Sequence, residues 1–147
     1  MAIDDGARRL ELRRMGPAHT RGDAVAVLPA EGILFTGDLC VNWRSGNNVA
    51  DPDADHPHWV QVLKEMAGWP VPTVVPGHGD IGTVKTLAAQ AAFLDDLWTQ
   101  VSAGKKAGRT VEQLLKEVDL SKHGDFASDP QQNHSAIRAV FRKAPDR

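Results

Sequence analysis

The sequence holds one cysteine, Cys40, so no internal disulfide framework can form. A lone thiol fits a reducing compartment. Long apolar runs are missing as well, and nothing approaches the ~20 residues that a membrane-spanning helix needs. The opening residues, MAIDDGARRL, carry acidic side chains and no apolar centre, unlike a signal peptide. The cytoplasm is therefore the expected location, with no membrane partner. A basic excess is also absent: the formal net charge is -2, whereas nucleic-acid binders concentrate positive charge on one face. Repeats and low-complexity segments are lacking too.

What remains is a chain of 147 residues, 41% hydrophobic, with both charge signs mixed. That is the profile of one soluble globular domain spanning 1–147. A domain of this length buries roughly 68–70% of the surface of its unfolded chain, so no metal is needed merely to fold. Any metal would serve chemistry.

The pattern changes near Gly82, from strands to helices. Arg8 to Met15 alternates as a half-exposed strand, and its arginines, Arg8, Arg9, Arg13 and Arg14, read as the solvated face of a sheet edge rather than a phosphate track. AVAVLP and ILFTG are short apolar strands joined by a turn at Pro29 to Gly32. His58 to Ala67 has helical spacing, with Trp59 directed to the core and Gly68 and Pro70 as stops. TVVPG is a further strand. Helices are then expected from Val84 to Ala103, after Thr110 with Gln113 completing a capping box, and from Gln131 to Arg142. Trp98 also reads as core, and His123 and His134 as surface residues.

Strand polarity locates a candidate site. The strands at Arg8–Met15 and Ile33–Thr36 are parallel to each other if the intervening strand is antiparallel to both, and the helical crossover after Thr36 requires Thr73–Pro76 to be parallel to Ile33–Thr36. Three strands then end at one edge, where His19 in GPAHTRGD, Asp38 in FTGDL and His78 in VPGHGD stand in glycine-bearing loops. Two imidazoles and a carboxylate suit zinc, with iron or manganese as alternatives, and leave coordination positions open. Asp23 or Asp80 would support the histidines, and His56, His58 and Cys40 are reserve ligands.

Two other motifs invite different readings. Gly77, Gly79 and Gly82 spell G-x-G-x-x-G, but a dinucleotide site needs a second βαβ strand with an acidic residue to hold the ribose. After Gly82 the pattern is helical, and Asp95 and Asp96 fall inside a helix. No nicotinamide or flavin site is expected there. DPDADHPHW imitates a calcium loop, yet His56 stands where glycine is needed and Val62 where the bidentate glutamate should be. It reads instead as a helix start, with Asp55 or His56 as N-cap.

GPAHTRGDAVAVLPAEGILFTGDL followed by TVVPGHGDIG resembles the carboxy-terminal half of metallo-β-lactamase-fold hydrolases. Three separate family motifs occur in order, and NVADPDADHPHWVQVLKEM and VDLSKHGDF extend the likeness. The resemblance implies an α/β fold, half of an αββα sandwich with a mixed sheet followed by a helical part. It makes His19 a ligand of the first metal site, Asp38 a metal-bridging carboxylate and His78 a second-site ligand, holding one or two ions, with Asp38 and His78 serving catalysis. The family's H-x-H-x-D-H motif does not occur in this chain. The expected activity is metal-dependent hydrolysis of a small-molecule ester or phosphoester by an activated water. The alternative is an inert metal-binding or scaffold subunit whose partner supplies the missing half-site. A phosphate- or nucleotide-binding module is the weakest reading. A half sandwich would also leave one apolar sheet face uncovered, for which a homodimer is the expected remedy, with lost ligands supplied in trans.

Overall fold

The computed structural model describes residues 1–43 and 47–146. Five strands, β1 (Ala2–Asp4), β2 (Arg9–Arg14), β3 (Ala24–Leu28), β4 (Ile33–Asn42) and β5 (Thr73–Gly79), form one sheet in sequential order. β1 to β4 pair antiparallel in succession, whereas β5 joins β4 in parallel after the crossover helix α1 (His56–Ala67). β2, β4 and β5 therefore run the same way and end at one edge, as the polarity argument requires. Helices α2 (Val84–Lys106), α3 (Val111–Glu117) and α4 (Pro130–Lys143) follow, with a 3₁₀ segment at Ser121–Ala127 before the last. Among the described residues no helix is long and apolar enough to cross a membrane.

Helix starts follow local chemistry. Asp55 is the N-cap of α1, its carboxylate accepting from the His58 amide, with Pro57 in the first turn. The aspartate-rich run before it closes a turn, Asp51 accepting from the Asp53 amide at 2.8 Å. Thr110 and Gln113 form the expected capping box. α2 extends to Lys106, three residues past the expected end.

The sheet has two unlike faces. Toward α1 and α2 it presents Val25, Val27, Leu34 and Val74, none more than 4% exposed, against a core containing Trp59, Leu63, Leu87 and Leu94. Cross-strand partners share a face. The row Leu12, Ala26, Phe35 and Val75 therefore lies on the opposite face, where among the described residues no helix packs over it. Phe35 is 38% exposed and Ile3, on β1 of the same face, 54%. This is the uncovered apolar face anticipated from sequence.

Four expectations are corrected. β1 was not anticipated; it flanks β2, so the arginine-rich strand is interior, and Arg9 and Arg13 both pair with Glu11. β4 does not stop at Thr36 but continues to Asn42 through register shifts around Gly37, so Asp38 stands within the strand. His78 likewise lies inside β5. His123 is not a surface residue: its side chain is 10% exposed, bonded to Asp96 at 2.8 Å and set edge-on against Phe93.

Candidate metal centre at the strand ends

Asp38 and His78 meet because β4 carries extra residues where β5 does not. The register passes from Phe35↔Val75 to Gly37↔Pro76 and then to Val41↔His78, so the bulged segment of β4 swings Asp38 over its neighbour. The Asp38 carboxylate lies where a side chain on Gly77 would be: a Cβ there would fall 2.2 Å from Asp38 Oδ1. His78 Nε2 is then 3.2 Å from Asp38 Oδ1, with the two side chains 48% and 42% exposed. Trp43, half-buried at the end of β4, sets its ring centre 4.9 Å from that of His78 and walls the site on one side.

Buried polar groups fix the bulge. Gln90 of α2 accepts from the Val41 amide at 2.9 Å and donates to the Leu39 carbonyl at 3.1 Å. The Trp59 indole N–H donates to the same carbonyl at 2.9 Å, and Asn48 donates to the Asp38 carbonyl at 3.2 Å. These bonds satisfy backbone groups that the bulge takes out of the β ladder. Sequence reasoning missed Gln90 and Trp43. A glutamine between Leu87 and Leu94 on the inward stripe of a helix was the available signal. Gln90→Leu is expected to orphan the Val41 amide and cost about 1–3 kcal/mol. Urea denaturation checks this; an unchanged midpoint would show that the bulge holds without the bridge.

The other predicted residues have contacts of their own. His19 sits in the loop after β2, its ring 5.1 Å from that of Trp59 and inclined to it. Asp23 closes that loop, accepting from the Thr20 amide at 2.8 Å and hydroxyl at 2.7 Å, rather than supporting a histidine. His58 bonds the Pro17 carbonyl, and fully buried His56 bonds that of Val49. Burial pushes the Cys40 thiol up to about 12, which keeps it protonated and a poor ligand. Asp80 flanks the site by its backbone, its carbonyl accepting from the Asn42 amide side chain at 2.8 Å. Among the described residues no group of three His, Cys, Asp or Glu side chains is arranged to hold a metal ion.

A donor pair can still be tested against a metal. Two ligand atoms each ~2.0–2.1 Å from a tetrahedral zinc stand about 3.3 Å apart. The 3.2 Å between His78 Nε2 and Asp38 Oδ1 matches that separation, and it also suits a hydrogen bond. The pair fits two corners of a site and the chain's own third candidate does not complete it. The glycine motif has its own explanation. Gly77 makes room for Asp38, and Gly79, at φ +90°, would set a Cβ 2.2 Å from the Asn42 carbonyl oxygen. Both answer to strand packing rather than to a phosphate.

Comparison with known proteins agrees with this architecture. The family model described as the metallo-beta-lactamase superfamily matches residues 2–78. Among solved structures, a metallo-beta-lactamase from Pontibacter korlensis is 29% identical with a TM-score of 0.59, over 65% of this chain and 45% of that one. TMB-1 is 27% identical with a TM-score of 0.56, over 65% and 44%, and VMB-1 is 30% identical with a TM-score of 0.53, over 58% and 40%. The chain thus spans less than half the length of these solved relatives. The curated proteins yield no match. With a family model covering just over half its residues and a mixed sheet and helices of the same fold, the chain belongs to the metallo-beta-lactamase superfamily.

Proposed function

We propose that the chain forms one half of a metal-dependent hydrolase acting on ester or phosphoester bonds, with Asp38 and His78 as its metal-binding residues. The observation that carries this reading is the Asp38–His78 pair: two donors from separate strands, 3.2 Å apart and open to solvent, on a bulge that buried side chains hold in place. A bound zinc, iron or manganese ion would supply Lewis acidity and lower the pKa of water toward neutrality. The protein's own part is to fix the donors. Gly77 admits the carboxylate, Gln90 and Trp59 hold the backbone beside it, and the Trp43 ring gives a flat apolar surface against which a substrate can lie.

Titrating the metal-free chain with zinc, followed by a screen of activated esters and phosphoesters, tests the proposal. Saturable uptake is expected in the unaltered chain and is expected to be lost in His78→Ala and Asp38→Asn. Occupancy should also weaken in acid, because protons compete for the imidazole. Unchanged uptake and hydrolytic rate in His78→Ala would remove the site assignment, and a loss in His19→Ala as deep as in His78→Ala would bring His19 into it.

A further inference from the structure

We infer that, given the metal-binding reading of Asp38 and His78, Asn47 and Asn48 are positioning residues through which the helical part of the chain holds Asp38 in place. Asp38 needs such a hold. It follows Gly37, whose φ of +52° and open surroundings leave the backbone free to turn there, and the ladder to β5 is irregular between Gly37 and Val41. Strand pairing therefore does not by itself fix the peptide that follows the Asp38 side chain. The Asp38 carbonyl is gripped from the side instead, by Asn48 Nδ2 donating to it at 3.2 Å. The Asn48 amide can face only this way, since the reverse would set its own oxygen against the carbonyl oxygen.

Stability alone does not account for Asn48. Its Oδ1 is shut away from solvent and finds no hydrogen-bond partner among the described residues. A buried acceptor left unpaired costs about as much as one hydrogen bond returns, so this side chain adds little to the fold. What it secures is the carbonyl one residue's length from the metal-binding carboxylate.

Asn48 is in turn held by its neighbours. Asn47 is 5% exposed; its backbone N–H donates to Gln132 Oε1, and its Nδ2 donates to the Phe126 carbonyl at 3.0 Å and to Asn133 Oδ1 at 3.3 Å. Asn133 also donates to the Ala127 carbonyl at 2.8 Å, which ties the first turn of α4 to the 3₁₀ segment. On the other side of Asn48, the Val49 carbonyl is bonded to buried His56. The partners of Asn47 in the 3₁₀ segment and α4 lie 79 to 86 residues further along the chain, past residue 78 where the family match ends. The helices thus reach the site by fixing a donor that the sheet supplies. A carboxylate already in place loses less freedom when an ion arrives, and groups that orient a ligand are typically worth about 10–100-fold in metal affinity.

Two measurements on Asn48→Leu, which keeps nearly the same shape, separate the hold on Asp38 from the metal reading. In chelator, ¹⁵N relaxation of the Leu39 amide reports the motion of the gripped peptide, because the Asp38 carbonyl and the Leu39 N–H share one plane. Its order parameter should fall below the ~0.85 of rigid backbone. Zinc affinity, measured by chelator competition, should drop about 10-fold or more. The urea midpoint of the metal-free chain should change little, since the lost bond and the removed orphan offset each other. Gln132→Leu, at the start of α4, should act in the same direction by a smaller factor, and it decides the matter if Asn48→Leu does not fold. A Leu39 amide as rigid in the variants as in the unaltered chain overturns the inference, as does a lowered urea midpoint with zinc affinity unchanged. An unaltered chain that takes up no zinc, but whose Leu39 amide still loosens on Asn48→Leu, removes the metal reading and leaves the hold on Asp38 standing.

Discussion

Gly79→Ala is expected to destabilise the fold by about 3–5 kcal/mol, a large part of the ~5–15 kcal/mol that holds a domain together. Two penalties combine. At φ +90° an alanine is strained, and its methyl would fall 2.2 Å from the Asn42 carbonyl oxygen and 2.4 Å from the carbon bearing it. These are backbone atoms of the neighbouring strand, which cannot turn aside as a side chain would. Relief requires β4 and β5 to part at the end where Asp38 and His78 meet. Gly77→Ala has no strained φ but overlaps Asp38 Oδ1 and the Gly37 carbonyl carbon, and about 2–3 kcal/mol is expected. Denaturant midpoints measured with zinc titrations decide the matter. If Gly79→Ala keeps full stability, the two strands do not approach as closely as described.

Acid is the second strong lever, through His56. This side chain is fully buried, its ring stacked on Trp98 with centres 6.1 Å apart, and Nε2 shares its proton with the Val49 carbonyl at 2.8 Å. Nδ1 is buried without a hydrogen-bond partner, so a proton added there finds no acceptor. Burial holds the His56 pKa below its usual 6.5, and the nearby Lys143 charge adds to the effect. The folded state thus resists a proton that the unfolded chain takes up readily. Stability is whole above pH 6.5 and falls as pH drops toward the folded pKa, with a slope of at most about 1.4 kcal/mol per pH unit. His56→Gln, which can still donate to the Val49 carbonyl, should flatten that slope. An unaltered pH dependence in this variant would assign the acid sensitivity to other groups.

The sequence was most informative where one element suffices to explain a pattern. The alternation in AVAVL, the crossover between ILFTG and TVVPG, and the Thr110 capping box all appear as read. Strand polarity was enough to bring Asp38 and His78 to one edge. It could not supply the bulge that makes them neighbours, because a bulge arises from pairing between strands and leaves little mark on one of them. β1 was hidden for a similar reason: Ala2–Asp4 has weak strand character alone and is ordered by β2, with Leu12 donating to the Met1 carbonyl at 2.8 Å. His123 looked like a surface residue because its partner, Asp96, is twenty-seven positions away on another helix. The contact of the His19 ring with Trp59 was not legible either, since an edge-level argument names no neighbours.

The parallel pairing of β4 with β5 also has a bearing on the order in which the molecule forms. β2, β3 and β4 are joined by short connections, and such pairings close quickly. β4 and β5 can meet only after the intervening chain has folded back through α1, and contacts across so long a separation are slow to form. Asp38 and His78 are forty residues apart and lie on that last seam. The antiparallel part of the sheet can therefore be complete in a folding molecule that still has no site, and the chemistry arrives with the final strand.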